Sequence, residues 1–159
     1  MGRVARPQLR GAWRLIAVDT NILVYAHRRD SQWHEPAAKC MRELAEGAAS
    51  WALPWPCLHE FLAVVTHERI FSPPTTMQKA LEQIAAWIES PTLVLLAESA
   101  GYWEVLARLV EKAKIAGPRI HDGRIAALCI HHGIRELLSA DRDFTRFGEL
   151  TTRNPLATR

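Results

Sequence analysis

An alternation of short strand-like runs with helical segments constrains this chain more than any other feature of its sequence. Residues 15–18, 50–53, 92–96 and 134–138 read as strands, and residues 150–152 as a fifth. Between them lie helical stretches with ordinary punctuation. Residues 31–46 carry Pro36 early and Gly47 as a stop. A turn at Pro54 and Pro56 opens a helix over 57–66. The breaker Ser72-Pro73-Pro74-Thr75 opens another that runs to Glu89, with apolar residues at 77, 81, 84, 85 and 88 on one face, and Pro91 follows it. Helices over 99–114 and 120–132 are separated by Gly117-Pro118, and Gly133 ends the second. Such an alternation specifies an α/β fold, a three-layer α/β/α sandwich around a mainly parallel sheet.

The chain has 159 residues, 48% hydrophobic and 23% charged, which suits one domain over residues 15–156 with a real core. No apolar stretch is long enough to span a bilayer, so no membrane partner is expected. The first fourteen residues, MGRVARPQLRGAWR, carry four arginines and no apolar h-region. They are expected to form a flexible basic arm over residues 1–14 rather than a secretory signal, and Arg6 stands where a myristoylation motif requires Ser or Thr. Cys40, Cys57 and Cys129 are odd in number and lack metal-type spacing, which points to free thiols in a reducing cytoplasm.

Against this background the stretch VDTNILVYA, residues 18–26, is unusual. Asp19, Thr20 and Asn21 interrupt an apolar run at the edge of a core strand. Function in parallel sheets gathers at the carboxyl ends of the strands. Asp19 closes the first strand, and Asp141 in LLSADRDF lies just past the fourth. Glu60 sits in the first turns of the helix that follows the second strand. Asp122 begins a helix that must run antiparallel to the fourth strand, since only Gly133 intervenes. Roughly 13 residues of helix at ~1.5 Å and about six of strand at ~3.3 Å give similar lengths, near 20 Å. Asp122 therefore lies level with Asp141, and four acids meet at one edge.

Carboxylates brought together repel one another unless a cation sits among them. Hard oxygen ligands without a His or Cys cluster suit Mg²⁺ or Mn²⁺. Such a centre activates water and stabilises charge on a scissile phosphate, which implies phosphodiester hydrolysis.

The motifs VDTNIL, HEF, HDGRIAA and SADRDF, in this order, resemble those of PIN-domain nucleases, most nearly the VapC toxins of bacterial toxin–antitoxin pairs. The resemblance spans about residues 15–156. It implies a metal-dependent endoribonuclease acting on structured RNA such as tRNA or rRNA, a cognate VapB-type antitoxin that occludes the site, and a homodimer. By position, Asp19, Glu60, Asp122 and Asp141 match the family's acidic quartet, with Asp19, Asp122 and Asp141 as metal ligands. Thr20, Asn21 and Ser139 match its polar supporting positions, and Asp143 a commonly acidic one, read here as orienting Asp141. The family often has Thr where Ser139 stands.

Plainer readings compete at each position. Asp19 also suits a helix N-cap, and Asp122 a first-turn acid that complements a helix dipole. His131 and His132 lie at a helix end, and the six tryptophans suit core or interface. Arg119, Arg124, Arg142 and Arg146 flank the acids and could hold phosphates that the acids repel. DRDFT at 141–145 imitates a haloacid-dehalogenase motif but comes too late in the chain for it. His121-Asp122 suggests an HD phosphohydrolase, which the strand before Asp141 disfavours. A PIN-fold module that binds RNA or a partner without cutting is the remaining alternative. The apolar and aromatic residues of the helices at 31–46 and 57–66 could serve a second copy or an antitoxin, and the sequence does not decide which.

Overall fold

The structure, a computed structural model, describes residues 15–157. The arm expected over residues 1–14 lies outside the described residues. Five strands form one fully parallel sheet in the order β3-β2-β1-β4-β5. They are β1 (Ile16–Val18), β2 (Trp51–Pro54), β3 (Leu93–Leu96), β4 (Glu136–Leu138) and β5 (Thr151–Arg153). Six α-helices cover it: α1 (Thr20–His27), α2 (His34–Glu46), α3 (Trp55–Val65), α4 (Met77–Ile88), α5 (Tyr102–Ala113) and α6 (Ile120–His131). Helices α1 to α4 pack among themselves, and α5 packs on α6. Right-handed crossovers set the two groups on opposite faces, giving three layers.

The core lies where β1, β2 and β4 run side by side. Ala17, Val18, Trp51, Ala52, Leu53, Leu137 and Leu138 are all buried there. Strands covered on both faces need near-continuous apolar sequence, which these have. The edge strand β5 is polar and largely exposed. Val18 pairs with Leu138, and Leu138 with Arg153, so the strands end level at one edge.

Three local outcomes differ from the sequence reading. The sequence reading assigns no element to residues 20–27 beyond Asp19 as a candidate N-cap, and these residues form α1. Asp19 sits at its N-cap in extended conformation and accepts the Thr20 N–H, and Ile22, Leu23 and Val24 are buried by it. A tertiary face overrides the β-branched composition here. In α4 the stripe at 77, 81, 84, 85 and 88 is not the core face. Ala80, Ile84 and Trp87 are buried, at i, i+4 and i+7, and the Trp87 ring meets Phe61 of α3 edge-on at 4.9 Å. Met77, Leu81 and Ile88 stay exposed. Finally, residues 142–146 form a 3-10 turn, Arg142–Arg146, absent from the sequence reading. Strand and helix ends otherwise shift by a few residues.

Helix α6 approaches α5 through Gly123. A Cβ there would lie 2.9 Å from Ile115 Cδ1 and 3.1 Å from Val110 Cγ1. This close approach fixes the start of α6, and with it Asp122. All three cysteines are free; Cys57 and Cys129 are buried and Cys40 is half-buried. Among the described residues no helix is long and apolar enough to cross a membrane.

Candidate active site

The sheet order reverses between β1 and β4, and the crevice beyond the carboxyl ends of strands at such a point is where open parallel sheets place their ligands. Asp19 and Ser139 sit there side by side. The Asp19 N–H donates to the Leu138 carbonyl at 2.9 Å, and the Ser139 N–H to the Arg153 carbonyl at 3.1 Å, so both residues continue the sheet ladder. Their positions are set by the sheet's own hydrogen bonds.

Asp19 is buried, and three donors converge on its carboxylate. Oδ1 accepts the Thr20 N–H at 2.8 Å; Oδ2 accepts the Ser139 hydroxyl at 2.6 Å and the Asn21 amide at 3.2 Å. The Ser139 Oγ in turn accepts from Asn21 Nδ2 at 3.2 Å and from the Asp141 N–H at 3.0 Å. Asn21 Oδ1 closes the network by accepting the Ala140 N–H at 3.1 Å. One hydroxyl thus joins Asp19, Asn21 and Asp141. Burial nonetheless raises the Asp19 carboxyl to about 6; hydrogen bonds from Ser139 and Thr20 oppose this, while Glu60 and Asp122 reinforce it. The Cys57 thiol lies 3.9 Å from Asp19 Oδ1, a neighbour the sequence gives no means to find. Burial, then Asp19, pushes that thiol well up, so it stays a neutral packing group.

Glu60 projects from α3 and is exposed, whereas its largely apolar helix suggested more cover. It is oriented all the same, because Thr20 Oγ1 donates to its Oε2 at 2.9 Å. Asp122 lies in the first turn of α6, half-buried. Burial raises its carboxyl, with Asp141, Asp143 and Glu60 adding to the effect. Asp141 caps the 3-10 turn by accepting the Asp143 N–H at 2.8 Å.

The structure brings Asp122, Asp141 and Asp143 closest together, with one carboxylate oxygen from each within 4.8 Å of the others. Asp143, read from sequence as a supporting residue, stands in this trio; Asp19 and Glu60 adjoin it rather than join it. The spacing Asp-x-Asp at 141 and 143 is the only sequence signal for that role. Five ion pairs occur among the described residues: Arg28–Asp30, Lys39–Glu43, Arg108–Glu149, Arg124–Glu98 and Arg153–Glu136. None involves the five site acids. No basic side chain lies within ion-pair distance of them among the described residues, and the donors are all hard oxygens, a set that fits a divalent cation such as Mg²⁺ or Mn²⁺. His131 and His132 stand apart from the trio: His131 meets Ser99 Oγ at 2.7 Å and His132 the Ala97 carbonyl at 2.8 Å.

Comparison with known proteins agrees with this architecture. The PIN domain family model matches residues 16–150. Ribonuclease VapC43 of Mycobacterium tuberculosis is 34% identical over 142 residues, 89% of this chain and 96% of the relative. Ribonuclease VapC48 of the same organism is 32% identical over 139 residues, 87% of this chain and 96% of the relative. Among solved structures, VapBC2 from Rickettsia felis bound to a promoter DNA fragment superposes with a TM-score of 0.64 at 20% identity, covering 88% of this chain and 98% of that one. Mycobacterium tuberculosis VapC20, described as a sarcin-ricin loop cleaving toxin, gives 0.61 at 16% identity, covering 82% and 92%. The chain belongs to the PIN-domain family, within its VapC branch.

Proposed function

We propose that this protein is a divalent-metal-dependent endoribonuclease, the toxin of a VapBC-type pair. The observation that carries this reading is the meeting of Asp122, Asp141 and Asp143 within 4.8 Å, beside the buried Asp19 and with no basic side chain within ion-pair distance among the described residues. The names of the curated relatives, ribonucleases of the VapC family, support it.

In this reading Asp19, Asp122 and Asp141 hold the cation, with Asp143 within reach of the same position. When bound, Mg²⁺ or Mn²⁺ supplies the charge that phosphate needs and lowers the pKa of neighbouring water. The chain's own groups do the remaining work. Asn21 and Ser139 fix the Asp19 carboxylate so that it does not reorganise when substrate arrives. Glu60, held by Thr20 and open to solvent, accepts a hydrogen bond from the attacking water and aims it in line with the leaving oxygen. Hydrolysis is then direct, with no covalent enzyme intermediate. The substrate proposed is structured RNA such as tRNA or rRNA, a reading to which the description of VapC20 as a sarcin-ricin loop cleaving toxin lends support.

A VapB-type antitoxin is the partner this reading requires, and solved VapBC complexes of the same fold support it. A homodimer completes the assembly. For such contacts α4 offers a surface in addition to the helices read from sequence. Helix α3 buries Cys57, Leu58, Phe61 and Val65 in its own core, and α2 exposes little beyond the adjoining Trp33. The larger apolar surface lies on α4, at Met77, Leu81 and Ile88.

The test is cleavage of a mixture of tRNA and rRNA by antitoxin-free protein in Mg²⁺, in Mn²⁺ and in EDTA, beside Asp19→Asn. Discrete fragments that need metal and fall by about 100-fold or more in the variant are expected. Intact RNA that is nonetheless retained in a shift assay would replace this reading with a binding module.

A further inference from the structure

Among the four arginines that flank the acids in sequence, the structure separates two from the rest. Arg124 is engaged by Glu98, through Nε at 2.9 Å and Nη2 at 2.7 Å. Arg142 is exposed and does not line the groove beside the acids. Arg119 and Arg146 do. That groove is formed by Ile115, Arg119, Asp122, Asp143, Arg146 and Phe147.

The placement follows from two matching spacings. Arg119 precedes Asp122 by three residues at the entry to α6, and Arg146 follows Asp143 by three residues in the 3-10 turn. Residues three apart share a helix face, and in a 3-10 helix they eclipse. Each element therefore delivers one acid to the centre and one arginine to the same groove. Phe144 and Phe147 are buried, with ring centroids 6.3 Å apart, and they fasten the turn that carries Arg146. Ile115 and Phe147 supply apolar walls between the charges.

Neither arginine is within ion-pair distance of the acids beside it, as the five pairs among the described residues show. Their guanidinium donors remain available, and a guanidinium fork matches two oxygens of a phosphate. A polyanion approaching five carboxylates needs such groups at the rim.

Resting on the nuclease reading above, we propose that Arg119 and Arg146 form a phosphate-binding subsite, holding a backbone phosphate of the RNA strand adjacent to the one that is cut. They act as positioning residues. The substrate is accordingly a polynucleotide with phosphate on the far side of the cleaved bond, rather than a nucleotide monomer.

The experiment measures binding of a fluorescein-labelled, mixed-sequence single-stranded RNA over a KCl series. Ca²⁺ replaces Mg²⁺, and the RNA is checked on a gel to be intact. Arg119→Gln, Arg146→Gln and the double variant are compared with wild type. Arg42→Gln, an exposed position on α2, an element that carries none of the site acids, controls for net charge. Each phosphate contact contributes about 0.7 to the slope of log K against log salt for single strands. The double variant is expected to flatten the slope by about 1.4, each single by about 0.7. Arg119→Lys and Arg146→Lys are expected to keep it, and Arg42→Gln to leave it unchanged. All variants should melt with wild type. A double variant with the wild-type slope, or wild-type protein that binds no RNA, overturns the subsite. Cleavage of the tRNA and rRNA mixture is scored separately. A flattened slope in a protein that cuts nothing would sink the nuclease reading and leave the subsite standing.

Discussion

Asp19 caps α1 and at the same time holds a carboxylate where water scarcely reaches. Its hydrogen bonds to Thr20, Asn21 and Ser139 offset only part of the burial, and its carboxyl is left at about 6 against an ordinary 3.8. The folded protein without a cation therefore binds this proton more tightly than the unfolded chain. The resulting stabilisation is fully present below about pH 4 and is lost as pH rises through about 6. A shift of that size corresponds to about 3 kcal/mol. Urea unfolding in EDTA across this range is expected to show wild-type stability falling as pH rises, and Asp19→Asn to remove most of the slope. A wild-type stability that climbs over the same interval would contradict the assignment. The Asp19 position was legible in sequence because a charge at a strand end is conspicuous. The Cys57 contact was not, because it joins residues from separate elements and neither has a distinctive neighbour.

Elements decide how well the acids are aimed. Asp141 and Asp143 lie on a short 3-10 turn, a conformation that sustains itself poorly. Phe144 and Phe147, both buried, secure it from beneath. Phe144→Ala is expected to cost about 3–5 kcal/mol in chemical denaturation. It should also weaken the metal-dependent cleavage proposed above more than the loss of folded protein accounts for. Activity that merely tracks the folded fraction would show that the turn needs no such support. Sequence exposed this turn poorly, since DRDFT has no strong periodicity. It exposed the strands well, because β1, β2 and β4 are covered on both faces and must be apolar throughout. Helix α1 was obscured for a related reason. Its residues are buried on nearly all sides, and a buried short helix and a buried strand look alike in composition. The stripe on α4 misled differently: that helix carries apolar residues on two faces, and periodicity alone does not say which one the core takes.

At the scale of the whole molecule, the outer face of α4 groups three exposed apolar side chains among the described residues. Met77, Leu81 and Ile88 lie there, while the same helix anchors itself through Ala80, Ile84 and Trp87. Exposed groupings of this kind mark contact surfaces. For the homodimer proposed above, Leu81→Glu combined with Ile88→Glu is expected to lower the mass measured by light scattering from dimer to monomer. The melting temperature of the monomer should be preserved, because neither side chain belongs to the core. An unchanged dimer would move the seam elsewhere.

The sheet order also has a consequence in time. Asp19 and Ser139 share a hydrogen bond although 120 positions separate them along the chain. Strand β4, which seats Ser139 and Asp141 beside β1, is made only after β1, β2 and β3. A polypeptide halted after β3 contains Asp19 and Glu60 but lacks the hydroxyl, the strand and the three acids, Asp122, Asp141 and Asp143, that complete the centre. Aborted translation therefore yields inert fragments. An unfinished copy of this protein has no assembled machinery with which to attack the RNA around it.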